Sequence, residues 1–179
     1  MSPRWCARIN TVLGGFVCLL LILFQFPEFC FFHPDIDFKL QFYEHEADFE
    51  KLVAMAREDP QMTRIAEDFT WLDTDVSWPR DNIGISNERW DEYRKLFRKV
   101  GAHDGIVNRP DISQVIFLIV EQGIVPAGQA KGIVYSYKPV IPVLSSLDRR
   151  PPWEMYDSKG DITAYTRITG NWYIYFEDW

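Results

Sequence analysis

Apolar residues follow three different patterns along the chain: an unbroken run, then helical spacing, then strand-like spacing. The run covers residues 11–26 and includes Val12, Leu13, Phe16, Val17 and all of 19–24. As a helix it is ~24 Å long, short of a ~30 Å hydrocarbon core. Extending it to Phe32 reaches ~33 Å and takes in Pro27 and Glu28, which are tolerable only at the interface. From about residue 44 to 58, Phe49, Leu52, Val53 and Ala56 recur at i, i+3, i+4 and i+7, the spacing of one helix face. Asp59-Pro60 stops that helix. A second helix is marked by Trp90, Tyr93, Leu96, Phe97 and Val100. Ser86 stands ready as its N-cap and Gly101 as its stop, and acids lead bases along its wet face, as the helix dipole favours.

Strand-like patterns come next. Ile65, Phe69 and Trp71 share one parity of a possible strand over 63–72, and residues 73–85 read as a loop. Residues 115–120 form the continuous apolar run expected of a strand covered on both faces. Residues 131–138 alternate, with Ile133, Tyr135 and Tyr137 on one parity, and the proline-rich stretch 140–153 is irregular. Residues 162–168 and 172–177 read as a terminal hairpin. A three-residue loop at 169–171 sets Ile168 opposite Trp172 and sorts the faces. Ile162, Ala164, Thr166, Ile168, Trp172, Ile174 and Phe176 then share the apolar face. Tyr165, Arg167, Tyr173 and Tyr175 lie on the other, which makes them the candidate partner surface, since tyrosine and arginine concentrate where binding energy does.

Two helices before a meander of strands predict an α+β fold, with two helices packed on one face of a mainly antiparallel sheet. One N-terminal transmembrane helix precedes the domain. The expected organisation is a cytoplasmic tail over 1–10, a transmembrane anchor over 11–32, a linker over 33–41, and a single α+β domain over 42–179.

Besides a lipoprotein, whose small residue before the modified cysteine is missing at both Val17-Cys18 and Phe29-Cys30, topology at the N-terminus has three readings. A cleaved signal peptide needs small residues at its cleavage site, and residues 25–32 offer none. A signal anchor needs no such site and can use Phe29, Phe31 and Phe32 as an interface belt. The third reading is a helix buried in the domain. Arg4 and Arg8 before the run, with Asp35 and Asp37 after it, put the N-terminus in the cytoplasm and the domain outside, periplasmic or extracellular.

Charge narrows the partners. The formal net charge is -7, and the part beyond Phe32 is more acidic still, because Arg4 and Arg8 outnumber Glu28 before it. An acidic domain without a basic stripe is a poor match for nucleic acid or for an anionic lipid surface. Cys6, Cys18 and Cys30 all sit in or beside the apolar run. The domain therefore has no internal disulfide and no thiol chemistry.

Candidate chemistry is thin. Asp73, Asp75 and Ser77 open like a calcium loop, but Trp78 and Gly84 stand where glycine and glutamate are needed. His103-Asp104 is the one His–Asp neighbour pair, in the turn after the second helix, where dipole contact is the plainer role. Lys131 follows Gly128 but leads into a strand, unlike a phosphate loop. Glu121 ends the most apolar strand, with Arg64, Lys131 and Arg167 as possible partners. No cofactor is implied.

The segments Arg89-Trp90-Asp91-Glu92-Tyr93-Arg94-Lys95-Leu96-Phe97, Lys131-Gly132 with Tyr135, and Gly170-Asn171-Trp172-Tyr173 resemble stretches of short uncharacterised bacterial membrane-anchored proteins. The resemblance implies a bacterial origin and no mechanism. Two functions stand as expectations. One is a membrane-anchored, non-catalytic binding or accessory module of the cell envelope for a protein or small molecule. The other is a hydrolase-type enzyme using acidic residues around Glu121.

Overall fold

The computed structural model describes residues 33–72, 84–124 and 127–179. The anchor at 11–32 and the acidic loop at 73–77 lie outside them. Among the described residues no helix is long and apolar enough to cross a membrane.

Among the described residues three α-helices form, where the sequence predicts two in the domain. Helix α1 spans Asp35–Glu44, α2 Glu46–Glu58 and α3 Asn87–Val100. The capping expected of α3 is present: the Ser86 hydroxyl accepts from the Arg89 N–H, and Gly101 takes the left-handed conformation at φ 68°. The expected linker at 33–41 is corrected. Pro34 caps α1, which buries Phe38 and Phe42. Apolar side chains occur all round α1, because Ile36, Leu40 and Tyr43 point outward. That blurs the 3.6-residue period by which an amphipathic helix is recognised.

Strands β1 (Met62–Ile65), β2 (Thr70–Leu72), β3 (Ile106–Arg109), β4 (Gln114–Ile124), β5 (Ala127–Ser136), β6 (Val143–Leu144), β7 (Ile162–Thr169) and β8 (Trp172–Asp178) form one sheet in the order β2-β1-β3-β4-β5-β8-β7-β6. Every pairing is antiparallel except β6 with β7. The fold is therefore α+β with a mainly antiparallel sheet. The single strand expected over 63–72 is instead the β1–β2 hairpin. The terminal hairpin pairs Thr166 with Ile174 and Ala164 with Phe176, which sorts the faces as the sequence requires. Its turn differs from expectation. A bulge between Arg167 and Thr169 sets Thr169, rather than Ile168, opposite Trp172.

All three helices bury their apolar stripes on one sheet face. Phe38, Phe42, Phe49, Leu52, Tyr93 and Phe97 join Phe117, Ile133, Trp172, Ile174 and Phe176 in one core. Arg89 fastens α3 to α2, its guanidinium donating to Asp59 at 2.8 Å and Glu58 at 2.7 Å. Tyr93 adds a hydroxyl bond to the same Asp59 carboxylate at 2.9 Å.

On the opposite face, Gly132 leaves room for the Tyr175 ring to approach the backbone closely. A Cβ at Gly132 would overlap the Phe117 carbonyl oxygen and stand 2.9 Å from the Tyr175 ring. The backbone contact cannot yield cheaply, and overpacking of this kind typically costs ~1–3 kcal/mol or more. Gly132→Ala is expected to lower urea-unfolding stability by about 3 kcal/mol. A loss under ~0.5 kcal/mol, the range of ordinary surface changes, would show that the ring is not held this way.

Candidate functional site: the sheet face away from the helices

Strand parity puts Ile116, Leu118, Val134, Tyr165, Tyr173 and Tyr175 on the face opposite the helices. Together with Ala130 and Val140 they form a second buried cluster, which contains no helix residue among those described. This corrects the partner surface expected from the sequence. Tyr165, Tyr173 and Tyr175 are only 6%, 3% and 1% exposed. Of the four residues only Arg167 is exposed, its guanidinium over the Tyr173 ring at 5.0 Å and one N–H on the Gly170 carbonyl at 3.1 Å. Strand parity groups the tyrosines correctly but says nothing of their exposure. Neighbouring strands present their own apolar residues here, so the tyrosines pack among them.

The sheet curls strongly across this face. Gln114 lies on β4 and Tyr165 on β7, with β5 and β8 between them. Their registers differ by four residues, since Leu118 aligns with Gly132, Tyr175 and Tyr165 in turn. In a flat sheet their Cα atoms would stand roughly 20 Å apart, beyond the joint reach of the two side chains. The Gln114 amide nevertheless donates to the Tyr165 hydroxyl at 3.2 Å. Right-handed twist and coiling bring this diagonal together.

The curl encloses a cavity of about 160 Å³ lined by Arg109, Ile112, Gln114, Ile116, Thr163, Tyr165, Tyr175 and Glu177. Two cross-strand pairs bound it, Arg109 with Gln114 and Thr163 with Glu177. Gln114 is only 6% exposed, and its Oε1 has no hydrogen-bond partner. Turning the amide over would exchange the two ends but still leave one bare. A buried amide end without a partner costs ~1–3 kcal/mol, so its presence calls for an explanation. Burial pushes the Glu177 carboxyl above the ordinary carboxylate range, with Arg109 and the Thr163 hydroxyl drawing it back. Burial likewise raises the Tyr165 hydroxyl. Arg109 makes a long contact with the exposed Asp111, at 3.9 Å, so its guanidinium can take another acceptor at little loss.

Gln114 also borders a second, larger hollow of about 320 Å³, lined with Arg57, Asn108, Ser113 and Tyr137 among others. Arg57 lies over the Tyr137 ring there, at 5.5 Å.

The remaining residues that the sequence marks for chemistry do not converge on either hollow. Glu121 stands 3.8 Å from Arg64, a structural pair, and burial raises its carboxyl. His103 and Asp104 are exposed in the turn after α3, where the Asp104 carbonyl accepts from Arg64 at 3.0 Å. Lys131, a possible partner of Glu121 by sequence, pairs elsewhere. It points to the helix side and is fully buried beside Asp35, at 2.9 Å. Among the described residues no group of histidine, cysteine or carboxylate side chains is arranged to hold a metal ion. Sequence reading misses Gln114 because a lone glutamine at a strand start gives no signal. Only the fold reveals that it is buried.

Compared with family models, curated proteins and solved structures, the chain finds no match.

Proposed function

We propose that this chain is a membrane-tethered, non-catalytic binding domain that takes a small polar molecule in the curled pocket of its sheet. The observation that carries this reading is the buried Gln114 amide, which lines a partly open cavity with one end unpartnered. Small-molecule sites are concave and largely apolar, with a few converging polar groups. Here Ile112, Ile116 and two tyrosines supply the walls, and Arg109, Gln114 and Glu177 supply the polarity. The lining contains neither a histidine nor a serine nucleophile.

The tether is supported by the apolar run at 11–26 and its aromatic extension to Phe32, just before α1. Ile36, Leu40 and Tyr43, at 56%, 60% and 56% exposed, form an outward apolar stripe on that helix. Such a stripe suits the headgroup boundary beside an anchor. With the N-terminus inside, alkaline phosphatase fused after Trp179 is active in bacterial cells and the product keeps its N-terminus.

A plugging variant tests the pocket. Ile116→Trp fills the cavity. A polar fragment at a hundred times its Kd stabilises the native chain by ~2.7 kcal/mol. That raises the Tm of a chain this size by roughly 5–10 °C. The plugged variant shows no such rise with the same fragment. Fragments that stabilise both proteins equally, or none that stabilises the native chain, would overturn the reading.

The second reading is acid–base catalysis. Glu121 and Glu177 favour it, because burial raises both carboxyls above the usual carboxylate value, the direction that a general acid or base needs. Turnover of any substrate that is lost in Glu177→Gln would replace the binding reading with this one.

A further inference from the structure

The charges around the pocket specify more than a polar ligand. Its lining offers one guanidinium, one half-buried carboxyl, one spare amide end and an apolar wall. We infer that the pocket takes a small zwitterionic amino acid with a short apolar side chain. This inference rests on the pocket reading above.

Size sets the first limit. A cavity of about 150 Å³ accommodates benzene, with six heavy atoms. At about 160 Å³, this one matches alanine or a close homologue in size.

Charge sets the second. Arg109 sits at one boundary of the cavity, and its Asp111 contact is long and exposed. It can give two N–H groups to a carboxylate in the fork geometry guanidinium favours. Glu177 sits at the other boundary, half-buried, its desolvation offset in part by Arg109 and the Thr163 hydroxyl. An ammonium bound there adds a positive charge in direct contact, where Arg109 now offsets the desolvation only in part. Gln114 spans the space between. Its unpartnered Oε1 accepts a second ammonium N–H while its other amide end holds Tyr165.

A ligand with only one charge leaves the opposite group bare. A simple carboxylate satisfies Arg109 but places a second anion near Glu177. A simple amine satisfies Glu177 but leaves Arg109 facing a cation. Only a molecule carrying both charges answers both boundaries. Ile112 and Ile116 then receive a methyl-sized side chain.

Calorimetric titration of the full chain in detergent tests this with three probes of similar size: alanine, propionate and propylamine. Losing one partner of a buried, hydrogen-bonded charge contact costs ~2 kcal/mol or more, so alanine binds at least about thirtyfold more tightly than either single-charge probe. Gln114→Leu removes the bare amide end at the cost of the bond to the Tyr165 hydroxyl, so its fold is checked by circular dichroism, and Glu177→Gln keeps the shape of the carboxyl. Each weakens alanine by about tenfold or more. Propionate or propylamine binding as tightly as alanine overturns the zwitterion while leaving the pocket reading in place. Silence toward all three probes, with the plugging test still positive for another fragment, does the same. Alanine binding that Gln114→Leu abolishes but Glu177→Gln leaves intact assigns it to the hollow beside Arg57 and overturns the site.

Discussion

Asp35→Ala is expected to destabilise the domain by about 3–5 kcal/mol, the range for breaking a buried ion pair from one side. Lys131 is fully buried on β5, and its ammonium meets the Asp35 carboxylate at 2.9 Å. It also donates to the carbonyls of His33 and Leu147, at 2.9 and 3.1 Å. Without Asp35 the nearest anion is Asp148, at 3.8 Å and half exposed, so the ammonium stays buried with only neutral acceptors close by. The loss is a large share of the ~5–15 kcal/mol that holds a domain folded. Thermal unfolding should move down by roughly 10 °C.

The reverse change costs less. After Lys131→Met, Asp35 still accepts from the Ser146 hydroxyl at 2.9 Å and the Leu147 N–H at 2.8 Å. Its own N–H still donates to Asp148 at 2.6 Å. The double variant Asp35→Leu with Lys131→Met should recover much of the loss, because apolar replacement of a whole buried pair is often neutral. An Asp35→Ala protein melting within about 2 °C of its parent would show that the pair contributes little. These contacts tie the start of α1 to the 146–148 loop, so hydrogen exchange in α1 should accelerate in the same variant.

How much of this can be read from the sequence differs by element, for physical reasons. Helix α3 is fully legible, because its stripe, its Ser86 cap and its Gly101 stop are local signals that agree with one another. The faces of the terminal hairpin are legible too, since strand parity is fixed once the turn is roughly placed. Helix α1 is not. Its outward Ile36, Leu40 and Tyr43 hide the periodicity of Phe38 and Phe42, and the partners of Asp35 lie in a distant loop. The tyrosine face is half legible. Parity groups Tyr165, Tyr173 and Tyr175 correctly, but their burial depends on Ile116, Leu118 and Val134 from other strands of the sheet. Gln114 is invisible for the same reason: the Tyr165 hydroxyl reaches it only because the sheet curls. Arg89, which helical spacing puts on the wet face of α3, bridges to Asp59 and Glu58 of the preceding segment, a contact that such spacing cannot show.

The second large effect belongs to Trp172, where the helices meet the sheet. Its ring lies 5.0 Å from Phe42 of α1, 5.9 Å from Phe49 of α2, 5.8 Å from Phe117 of β4 and 5.0 Å from Tyr135 of β5. Phe49 and Phe117 also meet edge-to-face at 5.0 Å, so removing the indole leaves a void lined by rings that already constrain one another. Close-packed aromatics cannot collapse into such a space without losing their own contacts, which is why truncations of this kind cost ~3–5 kcal/mol. Trp172→Ala is expected at the upper end of that range, and Trp172→Phe, which keeps a ring, at less than half of it. The bulge beside Thr169 sets the position of the indole, so the effect also reports on the turn. Urea titration followed by circular dichroism reads both variants. If Trp172→Ala unfolds within ~1 kcal/mol of the parent, these rings do not form the centre of the core.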